Sequence, residues 1–205
     1  MNTQTQQPFD FYTALRNRRS IYALSKNSPV SDARIQEIIE EAIKHTPSAF
    51  NSQSTRIVLL LGKQHDELWD LTTDVLRGVV PADQFASTQQ KMDSFKSAYG
   101  TVLYFEDWSV IESLQKQFPL YQDNFPVWAQ HTSAMHQLVI WMALEAEGLG
   151  ASLQHYNPLI DEKVKAEWKL PESWRLIAQM PFGKPEQPAG EKQFNPISER
   201  VKVFK

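Results

Sequence analysis

The stretch from Val127 to Glu147 constrains this chain more than any other segment. It can form about six helical turns, and Trp128, Met135, Leu138, Val139, Trp141, Met142 and Leu144 spread around much of its circumference. A helix that is apolar on most sides has to lie in a core or at an interface. Its longest apolar run, Leu138 to Leu144, is interrupted by Glu145 and falls well short of the ~20 residues needed to cross a bilayer. The segment is therefore expected to be packed by protein and not by lipid.

Other segments supply what could surround it. Asp10 is a candidate N-cap for a helix carrying Phe11, Ala14 and Leu15, which should end near the basic run Arg16 to Arg19. Ser31 and Asp32 open a second helix, with Ile35, Ile38, Ile39, Ala42 and Ile43 on one face and Pro47 as its stop. Leu68, Leu71 and Val75 mark a third helix, Phe85, Met92 and Phe95 a fourth, and Asp107 begins a fifth with Val110, Ile111 and Leu114. Arg56 to Leu61 and Thr101 to Phe105 are apolar, β-branched runs that predict strands covered on both faces. Arg175 to Met180 predicts a strand ending at Pro181 and Gly183, and Ala151 to Leu153 is a candidate for a further short strand. The tail from Lys192 to Lys205 has too little periodicity for core structure and is expected to wrap a neighbour. These elements predict a mixed sheet enclosed by helices, an α+β arrangement in one domain spanning residues 1–205.

Composition narrows the function. At 41% hydrophobic and 22% charged residues the chain is expected to be ordered nearly throughout, and its net charge of -3 gives no general attraction to nucleic acid or to anionic membranes. The absence of cysteine removes disulfides, thiolate metal sites and cysteine nucleophiles together. Redox chemistry would therefore need a bound cofactor. Met1 to Gln7 has neither the basic region nor the apolar run of a secretory signal, so a cytoplasmic location is the expectation. His131 and His136 are five residues apart, on different faces of the long helix, and no motif for metal, nucleotide or serine hydrolysis is present.

Three polar constellations remain. Arg18-Arg19-Ser20 could converge on a phosphate monoester, or form a solvated last turn favoured by the helix dipole. Pro47-Ser48-Ala49-Phe50-Asn51-Ser52-Gln53-Ser54 could present uncharged hydrogen-bonding groups to a heterocycle, or simply connect a helix to a strand. Gly148 reads as a helix C-cap, because Gly148-Leu149-Gly150 lacks the third glycine and the preceding strand of a dinucleotide fingerprint. The segment Leu153-Gln154-His155-Tyr156-Asn157-Pro158 then places polar and aromatic groups where they could meet the edge of a planar ligand.

Taken in order, these motifs, with Tyr99-Gly100-Thr101-Val102-Leu103 and Glu199-Arg200-Val201-Lys202-Val203-Phe204, resemble the nitroreductase superfamily, specifically its fatty-acid-repression-mutant-like branch. The resemblance implies a mainly antiparallel central sheet and FMN held at the interface of a homodimer. It implies Arg18 and Ser20 near the phosphate, joined by Arg200, and Arg19 near the pyrimidine edge of the flavin. Ser48, Asn51 and Gln53 would reach the flavin from the partner subunit, while Gln154 and His155 would lie beside the ring and tune it. Tyr22 stands where relatives often carry a basic residue, and no asparagine matches the one that many relatives place near flavin N5.

The implied activity is transfer of electrons from NADH or NADPH to small electron-poor acceptors such as nitroaromatics or quinones. With no separate dinucleotide site, donor and acceptor would use one pocket in turn, giving ping-pong kinetics without an obligatory side-chain acid or base and without a metal. Phe125 and Trp128 are candidates for contacting the acceptor, or for simple core packing. The resemblance also suggests a part in oxidative-stress response, and it leaves an alternative: a flavin-binding regulatory protein of redox or lipid signalling with little turnover.

Overall fold

A computed structural model describes residues 10–205, so Met1 to Gln7 lies outside the described residues. The helices are α1 (Phe11–Asn17), α2 (Asp32–His45), α3 (Lys63–Arg77), α4 (Phe85–Lys96), α5 (Trp108–Gln117), α6 (Asn124–Ala146), α7 (Asp161–Glu167) and α8 (Ile197–Arg200). The strands are β1 (Leu24–Ser25), β2 (Thr55–Leu61), β3 (Gly100–Asp107), β4 (Gly150–Ala151) and β5 (Trp174–Pro185). Three expected caps close as hydrogen bonds. The side chains of Asp10, Ser31 and Asp107 accept from the backbone N–H of Thr13, Arg34 and Ser109, satisfying donors that a helix start leaves open.

The sheet runs β1-β5-β3-β2, with β4 also paired to β5, and every pairing between these strands is antiparallel. The mixed character is confined to a parallel bridge between Ser20 and Ala151. Alternation along β3 explains how one sheet serves two cores. Val102 and Tyr104 pack with Ile35, Ile39, Ile140 and Leu144 on the face covered by α2 and α6. Leu103 and Phe105 pack with Leu68, Trp69, Phe95 and Val164 on the face covered by α3, α4 and α7. All of β3 is buried, as its apolar run predicts.

Two strand expectations are corrected. β2 is an edge strand, and most of its residues are only partly covered, because it has a hydrogen-bonded neighbour on one side alone. β5 does not stop at Pro181 and continues to Pro185. The Pro181 carbonyl accepts from the Ser152 N–H; because N and carbonyl of one strand residue point the same way, the missing N–H falls on the side of the short β4 and leaves the β3 ladder intact. A bulge leaves Ile177 unpaired between Leu176, opposite Phe105, and Ala178, opposite Tyr104.

The long helix begins three residues earlier than its apolar pattern indicates, with Pro126 accommodated in the first turn, where no intrahelical N–H bond is lost. It ends as expected. Gly148, at φ 80°, lets its own N–H reach the Glu145 carbonyl and the Leu149 N–H reach that of Leu144, a Schellman closure. Its buried stripe includes Thr132, Ser133, His136 and Gln137, whereas Val127, Met135, Leu138 and Val139 are exposed. Within one chain, then, α6 turns polar groups inward and leaves part of its apolar surface open.

Candidate functional site

Most of the residues singled out from the sequence lie toward the two ends of α6, with Arg200 apart from both. At its C-terminal end, α1 stops and Arg18 caps it through its backbone N–H to the Ala14 carbonyl. The chain then runs extended beside β4, where Ser20 bridges Ala151 and the Ile21 N–H donates to the Ala151 carbonyl. The Arg18 guanidinium lies 4.5 Å from the centre of the Trp141 ring, and its buried Nε has no hydrogen-bond partner among the described residues. Burial, reinforced by the like charge of Arg19, lowers the pKa of Arg18. Two adjacent guanidinium groups, one with a buried orphan donor, favour an anion.

Arg19 donates to the Gly190 carbonyl at 2.7 Å and, with Trp141, Glu145 and Gly150, lines a cavity of about 450 Å³. Burial raises the pKa of Glu145, whose carboxylate has one buried oxygen without a partner. Tyr22, four residues beyond Arg18, is exposed. The turn after β4 is fixed from β5: Gln154 and Gln179 exchange both backbone hydrogen bonds, and the Gln179 side chain accepts from the Tyr156 N–H. Gln154 is buried and donates to Ser152 Oγ, while the intervening His155 is exposed.

At the N-terminal end of α6 the loop Ser48 to Gln53 has an unusual backbone. Phe50, Asn51 and Gln53 have φ of 56°, 50° and 48°, left-handed values that side chains with a Cβ rarely adopt. Ser48 Oγ accepts from the Gln53 N–H at 3.0 Å, and Arg56 grips the Gln53 carbonyl at 2.7 Å while pairing with Asp107 at 3.0 Å. Beneath them the fully buried Glu106 accepts from Ser54 Oγ at 2.5 Å and Thr55 Oγ1 at 2.6 Å. Thr55 Oγ1 in turn lies 3.3 Å from His136 Nδ1. Burial raises the pKa of Glu106 against these hydrogen bonds and lowers that of His136. For Asp107 burial acts upward, but hydrogen bonds from Ser109 and Ser173 and the charge of Arg56 leave the pKa lowered.

Phe50 sits on an aromatic group that sequence reading nominated only in part. Its ring is 5.9 Å from Trp128 in a stacked geometry, 4.9 Å from Phe118, 5.8 Å from Tyr121 and 5.2 Å from Phe125. Phe125 is buried at 3% exposure and backs this group, whereas Phe50 is 48% exposed. Trp128 and Trp141 are separated by about 20 Å of helix, so the arginine end and the aromatic end of one chain are distinct surfaces. Arg200 belongs to neither in the single chain: it lies in α8, within a tail exposed from residue 190 to residue 205. Among the described residues no group of three or more His, Asp or Glu could hold a metal ion, and no helix is long and apolar enough to cross a membrane.

An α+β chain with a mainly antiparallel sheet between two helical layers, two adjacent arginines at one end and an aromatic loop at the other has the architecture of a nitroreductase-like oxidoreductase. The nitroreductase family matches residues 15–184, and the chain belongs to that family. Saccharomyces cerevisiae HBN1 is 40% identical over 196 residues, covering 95% of this chain and 96% of that protein. The nitroreductase FRM2 of the same yeast is 35% identical over 95% of this chain and 97% of its own length, placing the chain in the FRM2-like branch. Among solved structures, the nitroreductase CinD from Lactococcus lactis, in complex with chloramphenicol, is 47% identical with a TM-score of 0.88, covering 96% of this chain and all of that one. CinD has also been solved with 4-nitrophenol, at a TM-score of 0.87.

Proposed function

We propose that this protein is an FMN-dependent oxidoreductase that moves electrons from NADH or NADPH to small electron-poor acceptors, such as nitroaromatics or quinones, by a ping-pong mechanism. The observation that carries the reading is the buried, unpartnered Nε of Arg18, a donor that fits the phosphate of FMN. Ser20, on the strand-like segment next to β4, adds a hydroxyl to that set. Arg19 would hold the pyrimidine edge, and Tyr22 would add a contact to the flavin. Gln154 and His155 would border the ring and tune it by hydrogen bonding. Bound FMN supplies the hydride-accepting and hydride-donating chemistry. The protein's part is to bind it, to orient it and to exclude water. CinD, solved with 4-nitrophenol, supports the acceptor class.

The working form is a homodimer in which Ser48, Asn51 and Gln53 of one protomer complete the flavin site of the other. The exposed apolar face of α6, with Val127, Met135, Leu138 and Val139, supports this arrangement, as does the wide separation of the arginine and loop ends within one chain. The tail offers Phe194, Ile197, Val201, Val203 and Phe204 to a partner, and its Arg200 can reach the phosphate once that tail is seated.

The test begins with the visible spectrum of the purified protein and chromatography of the released chromophore, both expected to report FMN. Light scattering at low micromolar concentration should give the dimer mass. Steady-state rates with donor and nitroarene varied together should give parallel double-reciprocal lines. Intersecting lines would replace the shared pocket by a ternary complex, and a colourless protein that cannot be reconstituted with FMN would end this reading.

A further inference from the structure

Phe50 combines three features that ordinary packing does not explain together. Its backbone is left-handed at φ 56° and ψ 22°, a conformation that costs a residue with a Cβ roughly 1–2 kcal/mol. Its ring is nearly half exposed although a buried aromatic floor lies beneath it. Its conformation is also tightly held, by the Asn51 N–H to the Ser48 carbonyl, the Ser52 N–H to the Ala49 carbonyl and the Gln53 N–H to the Ser48 hydroxyl oxygen. Strain held in place by a loop's own hydrogen bonds, in order to keep an aromatic ring at the surface, is the signature of a presented side chain.

The face of an aromatic ring is electron-rich, and that of Phe50 belongs to a group of rings. Trp128 stacks with it at 21°, Phe118 and Tyr121 flank it, and Phe125 meets it edge-on. Such a platform favours an electron-poor ring laid parallel to it, and the amides of Asn51 and Gln53 supply polar groups on the same loop. Resting on the proposed FMN oxidoreductase activity, we infer that Phe50 is the stacking platform for the acceptor and the residue that selects aromatic acceptors over acceptors without a ring.

The test uses flavin-loaded wild type and the variants Phe50→Leu and Phe50→Tyr, with 4-nitroacetophenone as the aromatic acceptor and ferricyanide as the ringless one. Aromatic pairs contribute ~0.5–1.5 kcal/mol beyond area burial, so Phe50→Leu should raise KM for the nitroarene roughly 2- to 13-fold and leave ferricyanide reduction and FMN content unchanged. Phe50→Tyr, which keeps the ring, should stay within about twofold of wild type. Quenching of tryptophan emission by the nitroarene, read without any donor, should weaken in Phe50→Leu by the same factor. Wild type offers an arm that no folding defect can reach: nitrobenzene should compete with the nitroarene more strongly than nitrocyclohexane does. An unchanged nitroarene KM, an equal change for both acceptors, or equal competition by the two nitro compounds would overturn the assignment of Phe50 and leave the oxidoreductase reading standing. A wild-type protein that holds no FMN and reduces neither acceptor would overturn both.

Discussion

The two ends of α6 are built on opposite principles. The arginine end is held by backbone: Ser20, Ile21, Gln154 and Gln179 are fixed through main-chain hydrogen bonds to β4 and β5, and the side chains project from a rigid frame. The loop end is held by side chains: Ser48, Ser54, Thr55, Arg56, Glu106 and Asp107 clamp a loop whose own backbone is strained. A frame of the first kind suits a tightly kept cofactor. One of the second kind can change its presented residue without disturbing the sheet, which suits a surface that meets varied acceptors.

The comparison breaks most completely at Gly183. A Cβ there would lie 2.5 Å from the Ser25 carbonyl oxygen and 2.9 Å from the Tyr99 backbone nitrogen. Neither backbone atom can move without shifting β1 or the start of β3. Gly183→Ala should therefore cost about 3 kcal/mol in chemical denaturation and weaken FMN retention, because Gly183 pairs with Gly150 in the frame beside Ser20. Wild-type stability in this variant would mean that the arginine end is not rigid.

Arg18→Ala separates binding from folding at the same end. Removing a charge-assisted contact to phosphate should weaken FMN binding by ~2 kcal/mol, roughly 30-fold. The apo-protein should lose little stability, since among the described residues the guanidinium makes one cation–π contact and no ion pair. Equilibrium titration of apo-protein with FMN checks it, and equal affinity for wild type and variant would remove Arg18 from the phosphate site.

The loop end should respond to pH through the buried carboxyl in its clamp. Burial raises the folded-state pKa of Glu106, so the unfolded chain releases this proton first. The contribution of Glu106 to stability therefore declines as pH rises above the unfolded value of 4.5 through the folded one. His65 has the opposite sign: burial lowers its pKa from 6.5 to about 4, so stability is complete above 6.5 and is lost as pH falls toward 4. That loss amounts to about 3 kcal/mol. His65 bonds Thr101 Oγ1 on the other face of the sheet, and its effect is common to wild type and Glu106→Gln. Subtracting their stability profiles across pH 4 to 8 isolates Glu106; a difference that does not vary with pH would show that this carboxyl titrates alike folded and unfolded.

The same contrast explains what could be read from sequence. Features set by neighbouring residues are legible: the helix starts at Asp10, Ser31 and Asp107, the Gly148 closure and the apolar run of β3 depend on local chemistry. Pro181 misled because its tolerance within β5 depends on which neighbour its missing N–H would have faced. The edge position of β2 depends on sheet order, which its own apolar run does not encode. Phe50 was passed over for a similar reason. Phe118, Tyr121, Phe125 and Trp128 meet it only when chain separated by about seventy residues folds back, and the left-handed positions carry none of the glycines that normally announce them.

The smallest expected effect is at His155, and it sharpens the comparison by asking what the rigid frame leaves free. His155 lies between Gln154, paired through both backbone groups with Gln179, and Tyr156, whose N–H is held by the Gln179 side chain. Its main chain is thus fixed on both sides, while the imidazole itself is exposed. His155→Ala should leave stability within about 0.5 kcal/mol of wild type, as surface substitutions do, and FMN affinity within about twofold. Turnover should still fall by roughly 2- to 5-fold, less than one neutral hydrogen bond of ~1 kcal/mol removes when it acts in full, because in the proposed site the imidazole would tune the flavin and would neither hold it nor transfer an obligatory proton. Gln179→Ala, which removes the acceptor of the Tyr156 N–H, should move the turn itself and lower FMN affinity and turnover together. Stopped-flow measurement of donor oxidation under single-turnover conditions, beside flavin titration, distinguishes the two variants; a His155→Ala protein that loses FMN and activity in parallel would place the imidazole among the groups that hold the cofactor.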